Sequence, residues 1–77
     1  MKHEHYRRDV RHLDTIDVYR VIKLFNVTDP CIQHAIKKLL CAGQRGVKTQ
    51  EWDIREAIDT LNRYLQMASE DDAFTGQ

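Results

Sequence analysis

The sequence predicts a small all-α domain of three helices, two of which form an antiparallel helical hairpin. Apolar residues recur at helical spacing in three successive segments, and no segment reads as a strand. Capping residues and glycines mark the ends of the same segments. Because the 77 residues make one small domain that buries little apolar surface, we expect the chain to form homo-oligomers.

The first helix is predicted at about residues 15–25, with Asp14 or Thr15 as its N-cap. Its buried stripe is expected to contain Val18, Val21, Ile22 and Phe25. The preceding residues 1–13 are polar, basic and rich in histidine, so they are predicted to form an extended N-terminal arm.

The second helix is predicted at 30–42 and has the clearest boundaries. Asp29 is a favourable N-cap, and Pro30 occupies the first turn, where its missing N–H is not needed. Gly43 can adopt the left-handed conformation that ends a helix. The apolar face of this helix is expected to contain Ile32, Ala35, Ile36, Leu39 and Leu40.

The third helix is predicted at 50–67, with Thr49 as its cap. The acidic residues 69–77 lack a pattern and are expected to fray as a flexible tail, which leaves 14–68 as the helical domain. A long stripe on this helix is expected to face the hairpin partner: Ile54, Ala57, Ile58, Leu61, Tyr64, Leu65 and Ala68.

The formal net charge is zero, but the charges are unevenly distributed. Residues 1–49 carry ten Lys/Arg and five Asp/Glu, whereas residues 50–77 carry two and seven, giving +5 and −5. The acidic half would repel phosphates, which argues against nucleic acid as a partner. No apolar run could span a bilayer and no signal-peptide core is present, so we expect a cytoplasmic protein with no membrane partner.

The turn between the second and third helices has features of an anion-binding corner. Gly43 and Gly46 would let the backbone approach a ligand, and Arg45 and Lys48 add positive charge next to a helix N-terminus. Further cations or donors on the second helix are His34, Lys37 and Lys38. The alternative is that Gly43 only ends a helix and that the lysines are solvated. The P-loop motif is missing.

Trp52 falls on the side of the third helix away from the apolar stripe, which is typical of contact with a subunit, the arm or a flat ligand. The four histidines lack metal-ligand spacing, so no metal and no other cofactor is expected. Cys31 and Cys41 are ten residues apart on one predicted helix and are expected to be reduced thiols. No nucleophile occurs in a strained turn, so no catalytic residue is assigned.

Several segments together resemble a small helical domain of tailed bacteriophages. Its longer members are labelled nucleotide kinase, and its short members are of unknown function. The resemblance spans roughly residues 5–67 and rests on His5-Tyr6, Ile16-Asp17-Val18, the Ala35–Lys48 segment AIKKLLCAGQRGVK and the Asp53–Arg63 segment DIREAIDTLNR. It implies ligand contacts by His5, Tyr6, Lys37, Lys38, Arg45, Lys48, Asp53 and Arg63. This chain has Cys41 where many relatives carry an arginine before Ala-Gly, so one basic contact is missing.

The resemblance and the basic corner together predict a phage-encoded oligomer that binds a nucleotide or a similar phosphate-bearing small molecule. It would act in the host-cell cytoplasm as a counter-defence protein, sequestering a nucleotide signal, with Tyr6 or Trp52 stacking on the base. One alternative is a protein-interaction module that inhibits a host protein. The other is an oligomeric nucleotide kinase, although enzymatic activity is not the favoured interpretation, because phosphoryl transfer needs two phosphate sites and a metal.

Overall fold

The computed structural model describes residues 4–44 and 46–75, and this part of the chain is helical without strands. A 3-10 turn at Glu4–Tyr6 is followed by α1 (Val18–Leu24), α2 (Pro30–Leu40) and α3 (Gln50–Thr75). The predicted all-α class with three helices is therefore confirmed. Within the described ranges, no helix combines the length and the apolar character needed to cross a membrane.

Helix α1 is shorter than predicted because its N-cap is Asp17 rather than Asp14 or Thr15. The Asp17 carboxylate accepts the Arg20 backbone N–H at 2.8 Å, while Asp17 itself keeps an extended backbone. This satisfies one of the amides that a helix start leaves without an intrahelical partner. At the other end, Asn26 takes a positive φ of 55° and turns the chain towards α2.

The N-terminal arm folds back onto the end of α1. Arg8 donates a hydrogen bond from Nε to the Leu24 carbonyl at 2.6 Å. Its guanidinium also lies 4.3 Å from the centre of the Phe25 ring. Phe25, expected in the buried stripe of the first helix, is instead exposed and serves as the platform for this arginine.

The start and the turn of the hairpin follow the predicted signals. The Asp29 carboxylate accepts the Ile32 N–H at 2.9 Å, and Pro30 is the first residue of α2. Gly43 has a φ of +76°, and a Cβ there would lie 3.2 Å from the Gln50 Cβ. Glycine at this position therefore permits both the left-handed turn and the close approach of α3.

Helix α3 begins as predicted but continues to Thr75. The Thr49 hydroxyl accepts the Trp52 N–H at 3.1 Å, which confirms Thr49 as the cap. The predicted end at residue 67 and the frayed tail are wrong as far as residue 75. No glycine or proline interrupts residues 50–75, and the exposed Arg63–Glu70 pair at 3.2 Å spans two turns.

The rotation of α3 against α2 differs from the prediction. The residues that α3 turns towards α2 include Asp53, Glu56, Ala57 and Thr60, while most of the predicted apolar stripe is exposed. Ile58 is 50% exposed and Leu65 is 62% exposed. The apolar core of the described residues is correspondingly small and consists of Ile22, Cys31, Ala35 and Ala57.

Buried polar contacts explain this rotation. Asp53 is fully buried, and its carboxylate accepts the Gly43 backbone N–H at 2.9 Å. An apolar residue could not satisfy that amide, and a carboxylate left in a dry interior without donors would be costly. The contact therefore fixes α3 with Asp53, and not Ile54, facing the turn.

We predict that Asp53→Ala destabilises the fold by about 2 kcal/mol, because a hydrogen bond to a charged group is lost and the Gly43 amide is left unsatisfied. Chemical denaturation followed by circular dichroism measures this. Asp59→Ala, on the exposed side of the same helix, is the matched control and should cost less than about 0.5 kcal/mol. Equal losses for the two variants would contradict the assigned role of Asp53.

Candidate functional site

Two lysines converge on one carboxylate between α2 and the start of α3. Lys38 Nζ and Lys48 Nζ each lie 3.0 Å from Oε1 of Glu56. Lys38 comes from the last turns of α2 and is only 6% exposed, whereas the Lys48 side chain reaches in from the turn and is more exposed. We call these three residues the lysine cluster.

The lysine cluster carries a net positive charge, because two ammonium groups share one carboxylate. Hydrogen bonds from Lys48 and then Lys38 lower the pKa of Glu56 from 4.5 to about 2. Glu56 is therefore ionised at neutral pH. Each ammonium group has three N–H donors, so the bond to Glu56 leaves donors on the exposed Lys48 for a further acceptor.

The turn beside the cluster contains the two glycines of the predicted anion-binding corner. Gly43 and Gly46 both adopt positive φ, at 76° and 73°. A Cβ at Gly46 would meet nothing within 4 Å, so this glycine faces open space. Arg45, the other predicted phosphate contact in the turn, lies outside the described residues.

Two of the predicted phosphate contacts belong to a different surface. His34 and Lys37 line a groove of about 280 Å³ between α1 and α2, together with Tyr19, Ile22, Pro30 and Gln33. Lys37 Nζ lies 3.3 Å from the Tyr19 hydroxyl and 4.9 Å from the centre of its ring. The structure thus places His34 and Lys37 at this groove, and Lys38 and Lys48 in the lysine cluster.

The remaining predicted contacts are dispersed. His5 and Tyr6 lie in the arm with their rings 3.9 Å apart, and Arg63 bonds to Gln66 and Glu70 along the outside of α3. Asp53 is buried under the turn and has a structural role there. Trp52 is 53% exposed on the first turn of α3.

Glu56 and Tyr19 are the residues that sequence reasoning did not assign to a basic site. The position of Glu56 opposite Lys38 follows from how the two helices of the hairpin are paired. The Gly43–Asp53 contact sets the register of the antiparallel helices, and the same register brings Lys38 opposite Glu56. No comparable signal marks Tyr19, because α1 is joined to α2 by an irregular connection.

Other chemistry is sparse in the part of the chain that the structure describes. No group of three or more His, Cys, Asp or Glu side chains there is placed to hold a metal ion. Cys31 is buried, Cys41 is half-buried and neither forms a disulfide. The cysteines are therefore free thiols, as predicted.

The chain matches no protein-family model, no curated protein and no solved structure at a significant level. The resemblance to the phage domain consequently stays a prediction from the quoted segments.

The lowered pKa of Glu56 predicts an acid-dependent loss of stability. Folding favours the ionised carboxylate, so the contribution of Glu56 is present above its ordinary pKa of 4.5 and is lost as the pH falls towards about 2. Thermal melts of the wild type and Glu56→Gln across this range measure it. The variant should melt lower at neutral pH, because buried Lys38 loses its counter-ion, and the difference between the two proteins should shrink on acidification.

Asp59→Asn is the control for this titration, since Asp59 is exposed on the same helix. Its pH profile should follow that of the wild type. If Glu56→Gln and the wild type lose stability in parallel from pH 4.5 downwards, Glu56 does not contribute through its ionised form.

Proposed function

We propose that the chain binds a nucleotide or a similar phosphate-bearing small molecule at the corner between α2 and α3. The observation that carries the proposal is the convergence of Lys38 and Lys48 on Glu56 beside a turn with two positive-φ glycines. Net positive charge, free ammonium donors and an accessible backbone are the features by which proteins hold phosphate groups. The first turn of α3 adds further amide donors nearby.

Lys48 is the residue best suited to contact the ligand. It is exposed, and it is already oriented by Glu56, so little side-chain freedom is lost on binding. The buried ammonium group of Lys38 adds positive charge to the site without contacting the ligand directly. Arg45, three residues before Lys48 in the chain, would add a second cation, as expected from the sequence.

Binding rather than turnover is proposed, since phosphoryl transfer also requires a metal and a second phosphate site. With the phage resemblance, the biological role proposed is sequestration of a nucleotide signal that the host uses in defence. Formation of ADP from ATP and a nucleoside monophosphate would instead identify an oligomeric nucleotide kinase.

The direct test is the melting temperature of the protein with a panel of mono-, di- and cyclic nucleotides. A ligand that binds the folded state raises it by mass action. We expect the shift to shrink as salt is added, because the contacts are charge pairs near the surface. No shift with any nucleotide would contradict the proposal.

Single substitutions locate the site. Lys48→Ala and Arg45→Ala should each remove most of the ligand-induced shift, with little change in the unliganded melting temperature for exposed Lys48. Lys23→Ala, an exposed residue of α1, is the control and should bind as the wild type does. Should Lys37→Ala abolish the shift while Lys48→Ala does not, the ligand occupies the α1–α2 groove instead.

Exposed Trp52 favours a second candidate function, a protein-interaction module that inhibits a host protein. A tryptophan that is half exposed on a polar helix face is a common anchor of protein interfaces. This function would be favoured if no nucleotide stabilises the protein and Trp52→Ala abolishes inhibition of a defined host enzyme.

A further inference from the structure

Helices α2 and α3 both expose large apolar side chains to solvent. On α3 they include Ile54, Ile58, Leu61 and Leu65, and on α2 they include Ile32 and Leu39. At about 100° per residue, these side chains fall on the same side of the antiparallel hairpin. We call these six residues the apolar face.

The apolar face is large for so small a protein. Its six side chains are each between about two-fifths and three-fifths exposed and together expose on the order of 500 Å², which is in the range of the largest functional patches on monomers. The whole chain exposes 6575 Å², whereas a compact monomer of 9.1 kDa exposes about 4,900 Å². The exposed arm and the end of α3 contribute to this excess together with the apolar face.

The radius of gyration also shows that the chain is less compact than a globular monomer of its length. It is 15.8 Å, compared with about 11.5 Å for a compact domain of this length. One reason is that α3, with 26 residues, is about 39 Å long, while the 11 residues of α2 cover only about 16 Å of it. Among residues 4–44 and 46–75, much of α3 therefore has no other helix to pack against.

We propose that a second copy of the chain covers the apolar face, with the two α3 helices packed antiparallel about a two-fold axis. The α3 positions follow one another at spacings of four, three and four residues, which is the seam of a two-helix coiled coil. One antiparallel register pairs every apolar residue of this seam with an apolar residue of the second copy. In it, Ile54 packs against Leu65 of the second copy, and Ile58 packs against its Leu61. The symmetry repeats both layers, so the face is complementary to itself.

Charge favours the antiparallel orientation over the parallel one. The last turns of α3 carry Glu70, Asp71 and Asp72, and the first turn follows the basic segment with Arg45 and Lys48. The first turn of α3 itself carries Glu51 and the buried Asp53, so it is less acidic than the last turns but not basic. An antiparallel pair separates the two acidic ends and brings each towards the segment that precedes α3 in the other copy. A parallel pair would place the two acidic ends side by side, where they repel.

This interface leaves the lysine cluster accessible. Glu56 and Trp52 project from the flank of α3 opposite Ile58, as the helical repeat requires. Pairing through the apolar face and phosphate binding at the corner are therefore separate properties. Failure of one in an experiment leaves the other untouched.

Light scattering at micromolar concentration tests the pairing. The wild type should have twice the chain mass of 9.1 kDa. Ile58→Glu should halve the mass, because it places a carboxylate in a central layer of the interface. Trp52→Ala, on the opposite flank, is the matched control and should leave the mass doubled. A monomeric wild type, or an Ile58→Glu protein of unchanged mass, overturns the proposal.

A cross-linking experiment decides the case in which Ile58→Glu does not fold. Equal amounts of Ile58→Cys and Leu61→Cys chains are mixed and oxidised, and the covalent dimer is quantified on a denaturing gel. The proposed register predicts more dimer in the mixture than in either variant alone. Trp52→Cys should give no more than the wild type, whose own thiols set the background. A mixture that cross-links no better than Trp52→Cys rules out the antiparallel α3 pair.

Discussion

Asp53 is fully buried between α2 and α3, where its carboxylate accepts the Gly43 amide N–H at 2.9 Å. This contact sets both the rotation of α3 and the register of the hairpin. In the same register Lys38 meets Glu56, so a second polar contact reinforces the first. The hairpin therefore depends on these two polar contacts as well as on its small apolar core, because removing one partner of a buried pair leaves the other unsatisfied.

The buried position of Asp53 also determines which residues of α3 are exposed to solvent. Turning Asp53 inwards turns Ile54 and Ile58 outwards, and no other helix of the described residues covers them. The hydrophobic effect favours removal of such a surface from water by about 25 cal/mol per Å². A second copy provides that cover and would also stabilise the part of α3 that extends beyond α2.

In the lysine cluster, Lys38 stabilises the fold and Lys48 is proposed to bind the ligand. Lys38 is buried and its charge is matched by Glu56, so its removal would damage the fold. Lys48 shares the same carboxylate but is exposed, so its donors can serve an incoming anion. Glu56 thus orients the exposed lysine and keeps the two ammonium groups from repelling each other. The cluster and the apolar face occupy opposite flanks of α3, which allows pairing and ligand binding to coexist.

The sequence by itself determined the features that depend on local chemistry. Asp29, Pro30 and Thr49 mark the starts of α2 and α3 correctly, because caps involve residues only a few positions apart. Gly43 adopts the predicted left-handed conformation, but α2 ends at Leu40 instead of residue 42. The all-α class and the positive φ of Gly43 and Gly46 were also predictable from local sequence patterns. The cap of α1 was predicted wrongly as Asp14 or Thr15 instead of Asp17, since all three residues are chemically competent caps.

Only the tertiary structure decided which face of α3 is buried. A period of 3.6 residues shows that Ile54, Ile58 and Leu61 share a face, but it does not show what covers that face. The answer depends on Asp53 meeting an amide ten residues away and on Glu56 meeting a lysine eighteen residues away. For the same reason Lys37 and Lys38, adjacent in the chain, belong to different surfaces: successive residues of a helix point about 100° apart.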